Sequence, residues 1–156
     1  MAQRKPGQAQ TLPFQKVANV VTRTLMQTPL ISRGIGAKLV TLYVVGRKSG
    51  KVHKIPVAYT QHGESLLVGS PFAWGRNLRT GEPIDILLKG RRRAADVRVI
   101  SDEDGVVEHY GIIARDNRNF ASFNNIGFTP DGDPNPEDLR QAWEQGARVF
   151  VLTPRP

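Results

Sequence analysis

Five consecutive residues, Gly46-Arg47-Lys48-Ser49-Gly50, set two cationic side chains and a hydroxyl between flanking glycines. Glycine admits positive φ and lets backbone N–H groups come close to a ligand, while Arg47, Lys48 and Ser49 add donors, so the chemistry on offer is capture of an anion such as phosphate. The plainer reading is a solvated hairpin tip whose glycines serve only the turn. Other chemistries fare worse. His53, His62 and His109 show no metal-ligand spacing, and the chain has no cysteine, which removes thiolates, disulfides and zinc ribbons together. No GxSxG, P-loop or GxGxxG pattern is present. Hydroxyl donors remain at Ser70, Tyr43, Tyr59 and Tyr110. With no evident nucleophile or acid–base pair, any difficult step would fall to a bound cofactor.

The elements that must position this turn can be read from periodicity. Residues 39–45 form an apolar strand ahead of it, and residues 51–60 a second strand after it. Pro56 lies within that second run, and because proline cannot donate to a ladder it predicts an edge or a bulge. A turn at residues 61–64 leads to a third strand over 65–69, which Ser70-Pro71-Phe72 leaves. Residues 73–79 predict a short helix with Trp74 and Leu78 on one face and Arg76 and Arg79 on another. Trp74 and Leu78 at that spacing are core residues more often than ligand contacts. Residues 84–89 and 94–100 read as strands joined by a tip at residues 90–93.

Ser101 predicts an N-cap with Asp102, Glu103 and Asp104 at the positive end of a helix reaching about residue 115. Residues 116–133 form a long connection whose Phe120, Phe123 and Phe128 argue for order and a functional role. Asn135 and Pro136 then open another helix stopped by Gly146, and residues 149–152 predict a final strand. Closely spaced hairpins without a helix between the early strands argue for an antiparallel barrel or sandwich with flanking helices, mainly β in class. Upstream, residues 1–12 predict a mobile tail, and residues 14–27 an amphipathic helix whose alternatives are core packing, a lid, or a membrane surface. One domain over residues 13–156 is expected.

With 156 residues, 39% of them hydrophobic, the chain can bury a core without staples. Its net charge of +8 is unevenly placed: residues 1–100 carry 17 Lys+Arg against 4 Asp+Glu, whereas residues 101–156 carry 5 against 10. A positive field on the β-rich half favours anionic ligands without choosing among them. No run of about 18 apolar residues occurs and the first ten residues are polar, so a soluble, cytoplasmic protein is expected, in contact with a membrane at most at its periphery.

Three stretches, LVTLYVVGRKSGKVHKIPVAY, GSPFAWGRNLRTG and ARVFVLTP, resemble the deazaflavin-dependent nitroreductase family of split β-barrel oxidoreductases, relatives of the flavin-binding, pyridoxamine-phosphate-oxidase-like barrels. The match lies in Gly46 to Gly50, Pro56-Val57 and Trp74-x-x-Asn77-Leu78-Arg79. The resemblance implies a site for the deazaflavin coenzyme F420. Arg47, Lys48, Ser49 and the Gly50 backbone would hold its phosphate and oligoglutamate tail. Gly69, Ser70, Pro71, Phe72, Ala73 and Trp74 would cradle the ring with Arg76 and Asn77 nearby, and Pro56 and Val57 would line the ring pocket. Hydride would pass to an electron-poor small molecule such as a quinone, nitroaromatic or enone, with Tyr59, Tyr110 and Ser70 as candidate donors to that substrate. His53 stands where the family commonly carries arginine, and the connection 116–133 is unlike the better-known members, which leaves the substrate open.

Other readings stand beside this one. FMN or FAD could replace F420, and a fatty acid could sit in the barrel without turnover. A homodimer is implied by the superfamily, and nucleic-acid binding ranks last because the basic hairpins hold few aromatic residues.

Overall fold

The computed structural model describes residues 38–156. The mobile tail expected over residues 1–12 and the helix expected over residues 14–27 lie outside the described residues. From Leu39 the chain forms β1 (Leu39–Val45), β2 (Val52–Ala58), β3 (Thr60–His62) and β4 (Ser65–Ser70). A 3-10 turn (Ala73–Asn77) follows, then β5 (Ile84–Leu88), β6 (Arg91–Ile100), helices α1 (Glu103–Asp116), α2 (Arg118–Phe123) and α3 (Pro136–Glu144), and β7 (Arg148–Pro154).

The seven strands make one sheet in the order β2-β1-β5-β6-β7-β4-β3, every pairing antiparallel. The two ends of that order, β2 and β3, are separated in the chain by Tyr59 alone. The expected single strand over 51–60 is therefore corrected: at Tyr59 the backbone N–H turns to the Lys38 carbonyl at 2.9 Å, and the strand changes partner from β1 to β4. This exchange rolls the sheet into a barrel by joining the two ends of the strand order through one continuous run. Pro56, opposite Thr41, sits on a strand paired on one side only, where its missing N–H costs no ladder bond.

Alternation decides what faces where. In β1, Val40, Leu42 and Val44 are buried inside the barrel while Thr41, Tyr43 and Val45 point outward. Strands β4 and β7 are covered on both faces, so they read as unbroken apolar runs rather than alternating ones. Leu66, Val68, Phe150 and Leu152 turn into the barrel with Ile86 and Val97. Val149 and Val151 turn outward into a second core built from Val106, Tyr110, Ala114, Ala121 and Leu139 of the helices. Each fully buried side chain of this kind contributes roughly 1.5–3 kcal/mol, so the two cores rather than the exposed ion pairs hold the fold.

Local chemistry moved several boundaries. The tip between β5 and β6 is Lys89-Gly90, both at positive φ (51 and 79), and Arg91, Arg92 and Arg93 belong to β6 instead of the expected tip. Asp102, not Ser101, caps α1, accepting the Gly105 N–H at 2.9 Å. The long connection expected over 116–133 contains a helix, α2, because Asn117 caps it through the Phe120 N–H at 3.1 Å and Ala121 reaches the core. Asn135 caps α3 as expected, accepting from the Glu137 N–H at 2.9 Å with Pro136 in the first turn. Among the described residues, no helix is long and apolar enough to cross a membrane.

Candidate functional site

The turn between β1 and β2 is closed by its own backbone. Gly46 donates its N–H to the Lys51 carbonyl and accepts the Gly50 N–H, both at 2.8 Å, and Ser49 Oγ accepts the Lys51 N–H at 3.1 Å. Glycine suits both ends of the turn. A Cβ on Gly46 would come within 2.7 Å of Ser49 Oγ, and Gly50 has φ +70. Within this frame Arg47, Lys48, Ser49 and Lys51 are all exposed, and none of the cations joins an ion pair among the described residues. The Lys48 and Ser49 N–H groups have no acceptor among the described residues, whereas the Arg47 N–H donates to Asn77 Oδ1 at 3.0 Å.

That last bond joins the two sequence motifs. Asn77 ends the 3-10 turn and also donates from Nδ2 to the Trp74 carbonyl at 3.1 Å. The turn itself is set up by Ser70, whose Oγ accepts the Phe72 N–H at 3.1 Å, and is anchored by Trp74 and Leu78, each 5% exposed in the barrel core. The Trp74 ring lies 5.3 Å from that of Phe150. Gly75 lies against Phe150 so closely that any Cβ there would collide with the ring.

The structure thus brings Arg47, Lys48, Ser49 and Gly50 beside Arg76 and Asn77, with Ser70, Pro71, Phe72 and Ala73 leading into the same turn. Trp74 lies mostly under that surface, its ring given to the barrel core. Phe72 and Ala73 are half-buried, Arg76 is exposed, and Pro56 and Val57 are half-buried on β2. Tyr59 is buried in the barrel core at the β2–β3 junction.

Tyr110 falls elsewhere. Its ring packs on the outer face of β4, where a Cβ on Gly69 would lie 2.7 Å from Tyr110 Cε1, and against Phe120 at 4.9 Å. It is fully buried, and its hydroxyl has no partner among the described residues. Burial pushes the phenol pKa far above its ordinary value, with the Arg148 charge pulling weakly the other way. Tyr110 is thus enclosed behind the sheet, while Tyr59 and Ser70, themselves only 5% and 6% exposed, lie on the barrel side of it.

Two contacts were missed at sequence level. Phe123 of α2 meets Phe72 edge-on at 6.1 Å, carrying the 116–133 segment to the candidate site. Asp116 accepts from buried Thr60 at 2.9 Å and pairs with Lys38 at 2.8 Å, tying the end of α1 to β3 and to the start of β1. Phe123 could have been found from its place on an apolar face of a capped helix had Asn117 been recognised as the cap; the Asp116 link has no local signal.

No family model and no curated protein matches the chain. Solved structures do. The chain is similar to HutZ, a heme storage protein from Vibrio cholerae, with 15% identity over 83% of this chain and 90% of that one and a TM-score of 0.52. It is similar to an FMN-binding, pyridoxamine 5'-phosphate oxidase-related protein from Nostoc punctiforme, with 14% identity over 87% and 78% of the two chains and a TM-score of 0.50. It is also similar to a 5-nitroimidazole antibiotic resistance protein from Bacteroides thetaiotaomicron, so described provisionally, at 11% identity over 83% and 81% and a TM-score of 0.50. The fold is a split β-barrel like those of these proteins. At these identities the likeness is one of fold.

Proposed function

We propose that this protein binds coenzyme F420 at the rim of the barrel and serves as a two-electron reductase of an electron-poor small molecule, such as a quinone, nitroaromatic or enone. The observation that carries the reading is the Arg47 N–H to Asn77 Oδ1 bond, which seats the cationic tip beside the Ser70 to Asn77 segment. An anionic tail would meet the Lys48 and Ser49 N–H groups and the Arg47 and Lys48 side chains, which lack partners among the described residues and therefore need not break existing bonds to receive it. The ring would rest on the segment that includes Phe72 and Ala73, bordered by Phe123. When bound, the deazaflavin would supply the hydride. The chain's own part would be to orient the ring and hold the substrate through Ser70 or Tyr59 hydroxyls.

The barrel interior is occupied by Trp74, Phe150, Leu42 and Ile86, each at most 5% exposed, which favours a ligand at the rim over a fatty acid inside. FMN remains the competing ring, since it would use the same phosphate contacts.

Equilibrium titration of the full chain with F420, FMN, FAD and a fatty-acid panel tests this, read by quenching of Trp74 and Trp143. F420 is expected to bind at least tenfold more tightly than either flavin. Lys48→Ala with Ser49→Ala is expected to weaken it at least tenfold; unchanged affinity in that double variant removes the tail assignment.

A further inference from the structure

We infer that Asn77 is a positioning residue, a clasp that fixes the cationic tip relative to the Ser70 to Asn77 segment, and not a direct ligand of the anion. The inference rests on the reading of the Gly46 to Gly50 turn as an anion site. The tip closes the β1–β2 hairpin whereas the 3-10 turn lies on the crossover from β4 to β5, and Arg47 and Asn77 are 30 residues apart in the chain. Left to itself, the exposed tip fluctuates relative to the core-anchored 3-10 turn, and a ligand touching both must freeze that relative motion as it binds.

A single carboxamide prevents that. Its oxygen accepts from the Arg47 N–H at 3.0 Å while its nitrogen donates to the Trp74 carbonyl at 3.1 Å. Each end of the group is therefore spent on backbone, and the task needs one acceptor and one donor on the same short side chain. The clasp has a rigid anchor. Trp74 is 5% exposed and packs on Phe150, and Gly75 is in place so that the Phe150 ring can seat beneath the turn. Rigidity passes from the core through Trp74 and Asn77 to the Arg47 backbone. What the tip leaves for a ligand is the next two N–H groups, those of Lys48 and Ser49, held at a set distance from the segment after β4.

This separates Asn77 from the residues it supports. Loss of the clasp should harm a long ligand that spans both turns far more than a small anion that touches only the tip. Asn77→Ala and Asn77→Asp in the full chain provide the test, with backbone amide exchange followed by NMR and with F420, FMN and inorganic phosphate as probes. In the unliganded protein, Asn77→Ala should speed Arg47 amide exchange at least tenfold, whereas Asn77→Asp keeps the acceptor oxygen but loses the donor to the Trp74 carbonyl, so its Arg47 exchange should fall between that of the wild type and that of Asn77→Ala. The Leu152 amide, in the barrel core, should be unchanged in both and so certifies folding. Asn77→Ala should weaken the tighter-binding of the two cofactors at least tenfold and inorganic phosphate less than threefold. Unchanged Arg47 exchange in Asn77→Ala overturns the clasp whatever the cofactors do, and an equal loss for phosphate and cofactor overturns it in favour of a direct ligand. If the wild type binds neither F420 nor FMN, the functional reading fails while the exchange result still decides the clasp.

Discussion

At the scale of single residues, two positions show how a side chain, or its absence, is fixed by one neighbour. Tyr110 carries a buried hydroxyl with no partner among the described residues, and an unsatisfied buried polar atom costs stability. Tyr110→Phe should therefore stabilise the fold by about 1 kcal/mol in chemical denaturation and leave any reductase activity intact. The pH dependence has a definite sign. Burial raises the folded-state pKa above the ordinary value of 10.0, so the stabilising contribution is complete below that pH. It is lost above it, as the unfolded phenol ionises and the folded one does not. The advantage of Tyr110→Phe should then grow by about 1.4 kcal/mol per pH unit in the alkaline range. A pH-independent difference between the two proteins would contradict the burial argument. Gly75 is the converse case: Gly75→Ala drives a methyl into the Phe150 ring and should cost about 1–3 kcal/mol in unfolding free energy. The sequence alone marks Gly75 only as a weak point in a helix, because the clash comes from a residue 75 positions later in the chain.

At the scale of elements, most strands and helices were legible because each carries its own period and its own punctuation. β1 alternates and its turn is bounded by Gly46 and Gly50. α3 opens on Asn135-Pro136 and is followed by Gly146 at φ 103. Boundaries set by partners were not legible. Nothing local at Tyr59 says that one extended run will exchange β1 for β4, since the exchange is dictated by barrel closure. The three arginines after Gly90 look like a solvated tip, yet Leu88 pairs with Arg91 and the ladder continues through them. Helix α2 was hidden because six residues are too few to show a helical period, and only the Asn117 cap announces it. Asn117→Ala should remove that cap at a cost of about 1 kcal/mol. The loss should loosen Phe123 against Phe72, seen as faster amide exchange over residues 118–123. Retained protection there would mean that packing of Ala121 alone holds the helix.

At the scale of the whole molecule, charge and fold divide along the same line. The acidic stretch beyond residue 100 supplies the three described helices, while the basic stretch supplies six of the seven strands, including the β1–β2 tip. That the cations of the tip lie on one hairpin was evident from the order of residues, but their proximity to Trp74 and Asn77 depends on the closed barrel. A ligand's tail charge should therefore be felt mainly during approach, and exposed charges separated by more than a Debye length, about 10 Å at 0.1 M salt, are screened. The ion pairs of the described residues are exposed, so salt should affect folding little. The expected outcome separates the two effects. Raising salt from about 0.05 to about 0.5 M should slow association of an anionic cofactor at least tenfold in stopped-flow measurements, with little change in its dissociation rate or in the thermal midpoint of the free protein. If dissociation instead quickens while association holds steady, the positive half of the barrel is not steering the ligand, and the cationic tip binds only by contact.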